Sequence, residues 1–289
     1  MGNTPAVLLT GANGGIGTPA ALDLAARGFT VYAGMRRLGH GPFDGVARIR
    51  EIRLDVTDPD SVAEAIARIE RERGGQGLQA VVNNAGVIVQ GPLELVPDDE
   101  LQRQFAVNVF GPVRVVKAAL PLLRAGAGRI VNVGAPTAYL PMPFNGPISS
   151  SKAALHSLTA ALRGELAAWD LPVTVVVPGL VDTAIFTKAA DAQRTVPVPA
   201  EREALYRQHL AALERSAAKQ RPEATTGTVR AIAAAVTDRR VKPEYFSGAN
   251  ARVLSKMLAR LPRPVRESAV ASALGVKGIQ APRETARAA

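Results

Sequence analysis

No cysteine occurs among the 289 residues, which excludes disulfides and thiolate metal sites. Histidine is scarce as well: His40, His156 and His209 stand too far apart for a metal-ligand spacing, so no metal site is expected. Aromatic residues make up only 4% of the chain, whereas a nucleic-acid surface interleaves aromatics for stacking with its cations. The formal charge of +10 therefore reads as an arginine-rich solvated surface with an affinity for anionic cofactors, and no nucleic-acid partner is expected. Much of that charge lies at the end, where Arg252 to Ala289 carries eight Lys or Arg against two Glu. No run approaches the roughly 18 uninterrupted apolar residues of a membrane span, so no integral membrane segment is expected. The N-terminus also lacks the basic-then-apolar order of a secretion signal, which points to the cytoplasm.

What is present is 47% apolar residues, enough for one large α/β core. Apolar β-branched runs alternate with helical patterns. Strands are expected at Ala6–Thr10, Thr30–Met35, Ile49–Leu54, Gln79–Asn83, Ala127–Val133 and Val173–Val177, with a short last strand at Tyr245-Phe246-Ser247-Gly248. Helices are expected at Pro19–Arg27, from a cap at Asp60 or Ser61 to about Arg73, at Asp98–Leu122, Ser149–Ala168 and Glu223–Thr237. Pro112 and Pro121 predict a kink or an early end in the third of these. Repeated βα units with fully apolar strands imply a doubly wound parallel sheet, covered on both faces.

The stretch Thr10-Gly11-Ala12-Asn13-Gly14-Gly15-Ile16-Gly17 joins the first strand to the first helix. Glycines there let the backbone turn tightly and let a pyrophosphate rest against the amides and positive end of the new helix. At the end of the second strand, where a carboxylate would bind a ribose 2′-hydroxyl, the chain has Arg36 and Arg37 instead. Two guanidiniums suit a 2′-phosphate, so NADP(H) is the expected cofactor.

Five motifs together resemble the short-chain dehydrogenase/reductase family: the glycine turn, Leu54-Asp55-Val56-Thr57, Asn83-Asn84-Ala85-Gly86, Asn108 within Val107-Asn108-Val109, and Pro178-Gly179 followed by Thr183. The resemblance runs from about Ala6 to Thr187. It implies a Rossmann-type sheet on which Gly11, Asn13, Gly14, Gly15, Ile16 and Gly17 hold the dinucleotide. Asp55 and Val56 would touch the adenine, and Asn83, Ala85 and Gly86 would line the adenosine ribose. Pro178, Gly179, Val181 and Thr183 would hold the nicotinamide amide, and Lys152 its ribose. Such proteins act on small molecules, and a homo-oligomer, dimer or tetramer, is expected.

One further absence concerns the chemistry. The family places a Tyr four residues before the Lys and a Ser about thirteen before the Tyr; counting back from Lys152 gives Ile148 and Ala135. An aliphatic side chain has no proton to exchange, and losing a general acid costs roughly 10²–10⁴-fold. Thr137, Tyr139 and His156 are the candidate substitutes beside Lys152 and Asn108, each with a plainer reading: a hydroxyl bonded to backbone, a pocket-wall aromatic, a packed helix histidine. Three functions follow: reduction of a small, largely apolar carbonyl or enone with a displaced or substrate-borne acid, a non-redox cyclisation, isomerisation or elimination, or NADP(H) binding without turnover.

Residues 1–248 are read as the nucleotide-binding domain, with 184–220 as a substrate lid broken at Thr195-Val196-Pro197-Val198-Pro199 and carrying Leu205, Leu210 and Leu213 on a helix. Residues 249–289 form a basic extension. Its helix Ala251–Leu261 puts Val253, Leu254, Met257, Leu258 and Leu261 on one face. Disorder is expected beyond Gly278.

Overall fold

The computed structural model describes residues 4–39, 43–194 and 198–280. Seven strands form one parallel sheet in the order β3-β2-β1-β4-β5-β6-β7. They are β1 (Ala6–Thr10), β2 (Thr30–Met35), β3 (Ile49–Arg53), β4 (Ala80–Asn83), β5 (Ile130–Val133), β6 (Val173–Val177) and β7 (Glu244–Phe246). The order reverses between β1 and β4, so a crevice opens there at the carboxyl ends, the place where such sheets bind ligands.

The two faces of the sheet read directly from β1. Val7 and Leu9 enter one core with α1 (Gly17–Ala26), and Ala6 and Leu8 enter the other with α2 (Pro59–Arg73). The first core also takes Ile232, Ala235 and Val236 of a helix near the end of the chain, and the second takes Val115, Val116 and Leu123. A strand buried on both sides has no polar face to show, which explains its continuous apolar run.

Several boundaries differ from the expected ones, each for a local reason. Asp58, not Asp60 or Ser61, caps α2: its carboxylate accepts from Asp60 N at 2.9 Å, and Pro59 supplies a preset φ at the first helical position. Ser61 instead accepts a bond from Asp55 N at 3.0 Å. The strand expected from Ala127 begins at Ile130, because Ala127 sits at φ 46° between two glycines packed against Leu78. The long helix runs through α3 (Asp98–Phe105), a wide turn at Ala106–Phe110 with i→i+5 bonding, and α4 (Gly111–Ala125). Neither proline ends it. Pro112 follows the wide turn directly, and Pro121 is exposed, where water can take the carbonyl that its missing N–H leaves free. By composition alone Asp98–Ala125 is apolar enough to cross a membrane, but half of its most apolar window is buried, with Val115, Val116 and Leu123 in the second core.

Helix α5 (Gly146–Glu165) starts three residues earlier than expected because Pro147 opens its first turn, so Ile148 lies inside the helix. Beyond β6 come α6 (Ile185–Arg194), α7 (Ala200–Lys219) and α8 (Thr226–Thr237). After β7, α9 (Ala249–Lys256) is followed by a short turn at Leu258–Arg260 and by α10 (Arg263–Ala273), a helix that the sequence reading missed. The apolar face expected on Ala251–Leu261 is split: Val253 and Met257 are exposed, whereas Leu258 packs with Leu140, Val270 and Leu274. The break expected at 195–199 lies outside the described residues at Thr195, Val196 and Pro197, as do 281–289, where disorder was expected.

Candidate active site

The glycine turn leaves β1 with Gly11 at φ 64°, where a Cβ would stand 2.8 Å from Ala85 Cα. On Gly17 a Cβ would come within 2.1 Å of Gly11 O, and on Gly15 within 2.7 Å of the Thr183 side chain. The turn is thus packed against the Asn83–Gly86 loop on one side and the loop after β6 on the other. Gly14 N donates to Gly11 O and Thr18 Oγ1 to Ala12 O, both at 3.0 Å, which close the turn around Asn13 and Ile16. Sequence reasoning missed the brace beneath it. Thr10 Oγ1 accepts from Asn84 N and Ala85 N, and Asn84 Nδ2 donates to the Thr10 and Gly11 carbonyls, all at 3.0–3.1 Å.

Arg36 and Arg37 follow β2, exposed, and neither side chain makes a hydrogen bond to the described residues. Burial works against the Asp55 charge, but bonds from Thr57 and the nearby Arg36 and Arg114 hold its carboxyl below the usual range. Val56 is buried against Gly111, and its carbonyl accepts from Arg114 at 2.6 Å. Asn83 turns its amide inward to Asn132 at 2.8 Å, which leaves the backbone of Asn83, Ala85 and Gly86 as what borders the crevice. Pro178, Gly179, Val181 and Thr183 are held from behind: Gly179 N donates to Ser247 O at 3.1 Å, and Leu180 and Asp182 bond to Glu223 through the backbone.

Lys152 projects from the second turn of α5 toward this crevice. Its amine is enclosed and donates to Val133 O at 2.7 Å, and burial pushes its pKa down to about 8. A Cβ placed on Gly86 would lie 3.4 Å from Asn108 Oδ1 and 3.9 Å from Lys152 Nζ, so the three share one recess. The wide helical turn presents Asn108 to Val87, which receives and returns a bond at 2.9 Å each way.

Ile148 is buried in the first turn of α5, and Ala135 opens a compact turn in which Tyr139 N and Leu140 N both donate to Pro136 O. Of the three candidate donors, none presents a free acid. The Tyr139 hydroxyl donates to Glu244 Oε1, and burial together with that bond pushes its pKa up. Burial holds Glu244 back from ionising, yet the Lys256 ammonium and the Tyr139 hydroxyl keep its carboxyl below the usual range. His156 stacks edge-on with Tyr139 at 4.9 Å, and burial, with Lys152 one turn away, pushes its pKa down to about 4. A Cβ on Gly134 would meet His156 Nε2 at 2.0 Å, so the ring fills the place of a missing side chain. The expected backbone bond of Thr137 is not made: its hydroxyl and His156 Nε2 are both buried without a partner among the described residues.

Helix α7 is fastened to the segment after β4. Glu94 accepts from Tyr206 at 2.6 Å and from Arg202 at 2.9 Å, and Phe144, Tyr206 and His209 form one aromatic cluster.

The sequence profile of the short chain dehydrogenase family matches residues 5–194, the sheet through β6. The chain belongs to that family. It is 36% identical over 182 residues to 3-amino-tetrahydro-pyrrolizinone reductase of Xenorhabdus hominickii, covering 63% of each chain. It is 38% identical over 182 residues to estradiol 17-beta-dehydrogenase 2 of Rattus norvegicus, covering 60% of this chain and 47% of that one. The chain thus spans less than two thirds of these relatives' own length. A short chain dehydrogenase from Burkholderia cenocepacia, solved in complex with NADP, superposes with a TM-score of 0.71 at 27% identity, over 91% of this chain and 96% of that one.

Proposed function

We propose that this protein is an NADP(H)-dependent reductase of small, largely apolar carbonyl compounds in which Lys152 takes over proton donation. Support for the cofactor comes from the glycine cradle, where added Cβ atoms would overlap neighbouring backbone, and from the open guanidiniums of Arg36 and Arg37. The NADP complex of the Burkholderia cenocepacia protein supports it independently. The glycine turn with Arg36 and Arg37 would hold the cofactor, which would supply a hydride when bound. The chain's own residues then have one task left, a proton for the carbonyl oxygen.

The observation that carries the reading is the place of the half-buried Lys152, whose amine bonds Val133 O at 2.7 Å and lies 3.9 Å from a Cβ built on Gly86, with its pKa lowered by burial to about 8. A general acid works best when its pKa lies near the working pH, and burial brings a lysine into that range. Tyr139 is tied to Glu244 and His156 is neutral, so neither competes for the role. Asn108 braces the loop after β4 at Val87 beside the same recess, and Ile148 is buried in the first turn of α5.

The test follows NADPH absorbance and product together across ketones, enones and quinones. Turnover should fall as pH rises through about 8, the value of the proposed donor. Ile148→Tyr should raise turnover by about 10-fold or more and weaken that pH dependence, by restoring an ordinary acid. Product formation without NADPH consumption would favour the non-redox reading, and tight NADPH binding with no product from any acceptor would favour a nucleotide-binding role.

A further inference from the structure

An apolar cavity of about 180 Å³ lies beside the active-site turn, between it and the C-terminal helices. Its walls are Leu140 and Met142 from the loop after β5, and Leu258, Leu261, Val270 and Leu274 from the extension. Leu140 belongs to the same compact turn as Ala135, since its N–H bonds Pro136 O at 3.1 Å. The extension is fixed onto this turn through the chain Tyr139, Glu244, Lys256, so the cavity is a built feature of the site's flank.

Three polar residues stand at its rim: Ser216 Oγ donates to Ala273 O at 3.2 Å, Arg266 donates to Ala259 O at 3.1 Å, and Gln220 is exposed. Walls that are mostly hydrocarbon, with the polar side chains at the rim, select an apolar guest. An apolar void of about 150 Å³ stays dry and takes up benzene, so this one holds a guest of about six carbons. Leu261, one of its walls, is 38% exposed.

Resting on the reductase reading above, we propose that this cavity receives the hydrocarbon tail of the carbonyl substrate, so that the enzyme prefers methyl ketones with chains of about six carbons or more beyond the carbonyl. The extension is then a specificity element, contributed by residues outside the family match at 5–194.

The test uses the full-length protein and a series of straight-chain 2-ketones from butanone to 2-dodecanone. In the parent, KM should fall about three- to fourfold per added methylene until the cavity is full, then level off. Val270→Phe and, as a milder filling, Ala273→Phe should flatten that gain to less than about threefold in total, with butanone turnover unchanged. Calorimetric titration of 2-decanone into the NADP⁺-loaded protein gives a readout independent of turnover, and both variants should weaken that binding by about 10-fold or more. Saturable 2-decanone binding that the fillings abolish, without NADPH turnover, would uphold the cavity and overturn the reductase reading. Turnover with a KM independent of chain length, or a chain-length gain untouched in the folded variants, would overturn the cavity assignment. A dimer that dissociates on Val270→Phe would overturn it in favour of a segment of a second copy as the guest.

Discussion

The two flanks of the crevice are built by opposite means. On the β1 side backbone does the work: glycines without Cβ, a threonine and an asparagine tying loop to strand, and arginines left open beyond β2. On the β5 side enclosure does it, with an amine and an imidazole kept from water and a tyrosine bound to a glutamate. In the first flank Gly11, Gly15 and Gly17 have no room for a side chain, because neighbouring atoms lie 2.1–2.8 Å from where a Cβ would stand. The second carries Ala135 and Ile148, with His156 filling the space over Gly134. Close backbone approach has one solution, glycine, whereas a buried polar cluster has many.

The sharpest way to break this contrast is Gly17→Val. Its side chain would overlap Gly11 O, where even a Cβ comes within 2.1 Å. NADPH affinity should fall by more than about 100-fold, about 3 kcal/mol, in a fluorescence titration, with the melting temperature lowered as well.

Lys152→Met probes the other flank through stability. The folded amine has its pKa near 8 against 10.5 for an ordinary lysine, so the unfolded chain holds the proton more tightly. Below pH 8 the full penalty applies, and stability of the parent should rise between pH 8 and 10.5 by up to about 3 kcal/mol as the proton is lost. The methionine variant should lack that rise in urea unfolding across this range. A parent without it would show that the amine is not enclosed.

Smaller still is the effect expected from Arg36→Glu with Arg37→Glu. Charge-assisted bonds contribute about 1.5–3 kcal/mol each, and their loss should move preference from NADPH toward NADH by about 10- to 100-fold. Unchanged selectivity would mean that the 2′-phosphate is bound elsewhere.

Much of the first flank was legible in the sequence because it depends on local rules. A glycine pattern between an apolar strand and a helix carries its own explanation, and the sheet follows from β-branched runs between helical periods. The brace of Thr10 by Asn84 was not, since it joins residues 74 apart. The link from Tyr139 through Glu244 to Lys256 escaped for the same reason: the first two are 105 apart in the chain. Helix boundaries were missed where a proline or a wide turn changed the local bonding, as at Pro147 and Ala106–Phe110. The tail misled because an apolar stripe records what a helix offers and not what covers it; Met257 is 66% exposed while Leu258 packs inward.

By itself, then, the order of residues determined the doubly wound sheet and the glycine turn, which follow from neighbours close in the chain. Only the tertiary structure decided which remaining polar groups are free to act, because enclosure and pairing are set by segments that meet after folding. It is burial that lowers the Lys152 pKa to about 8, and it is a glutamate from the last strand that occupies the Tyr139 hydroxyl.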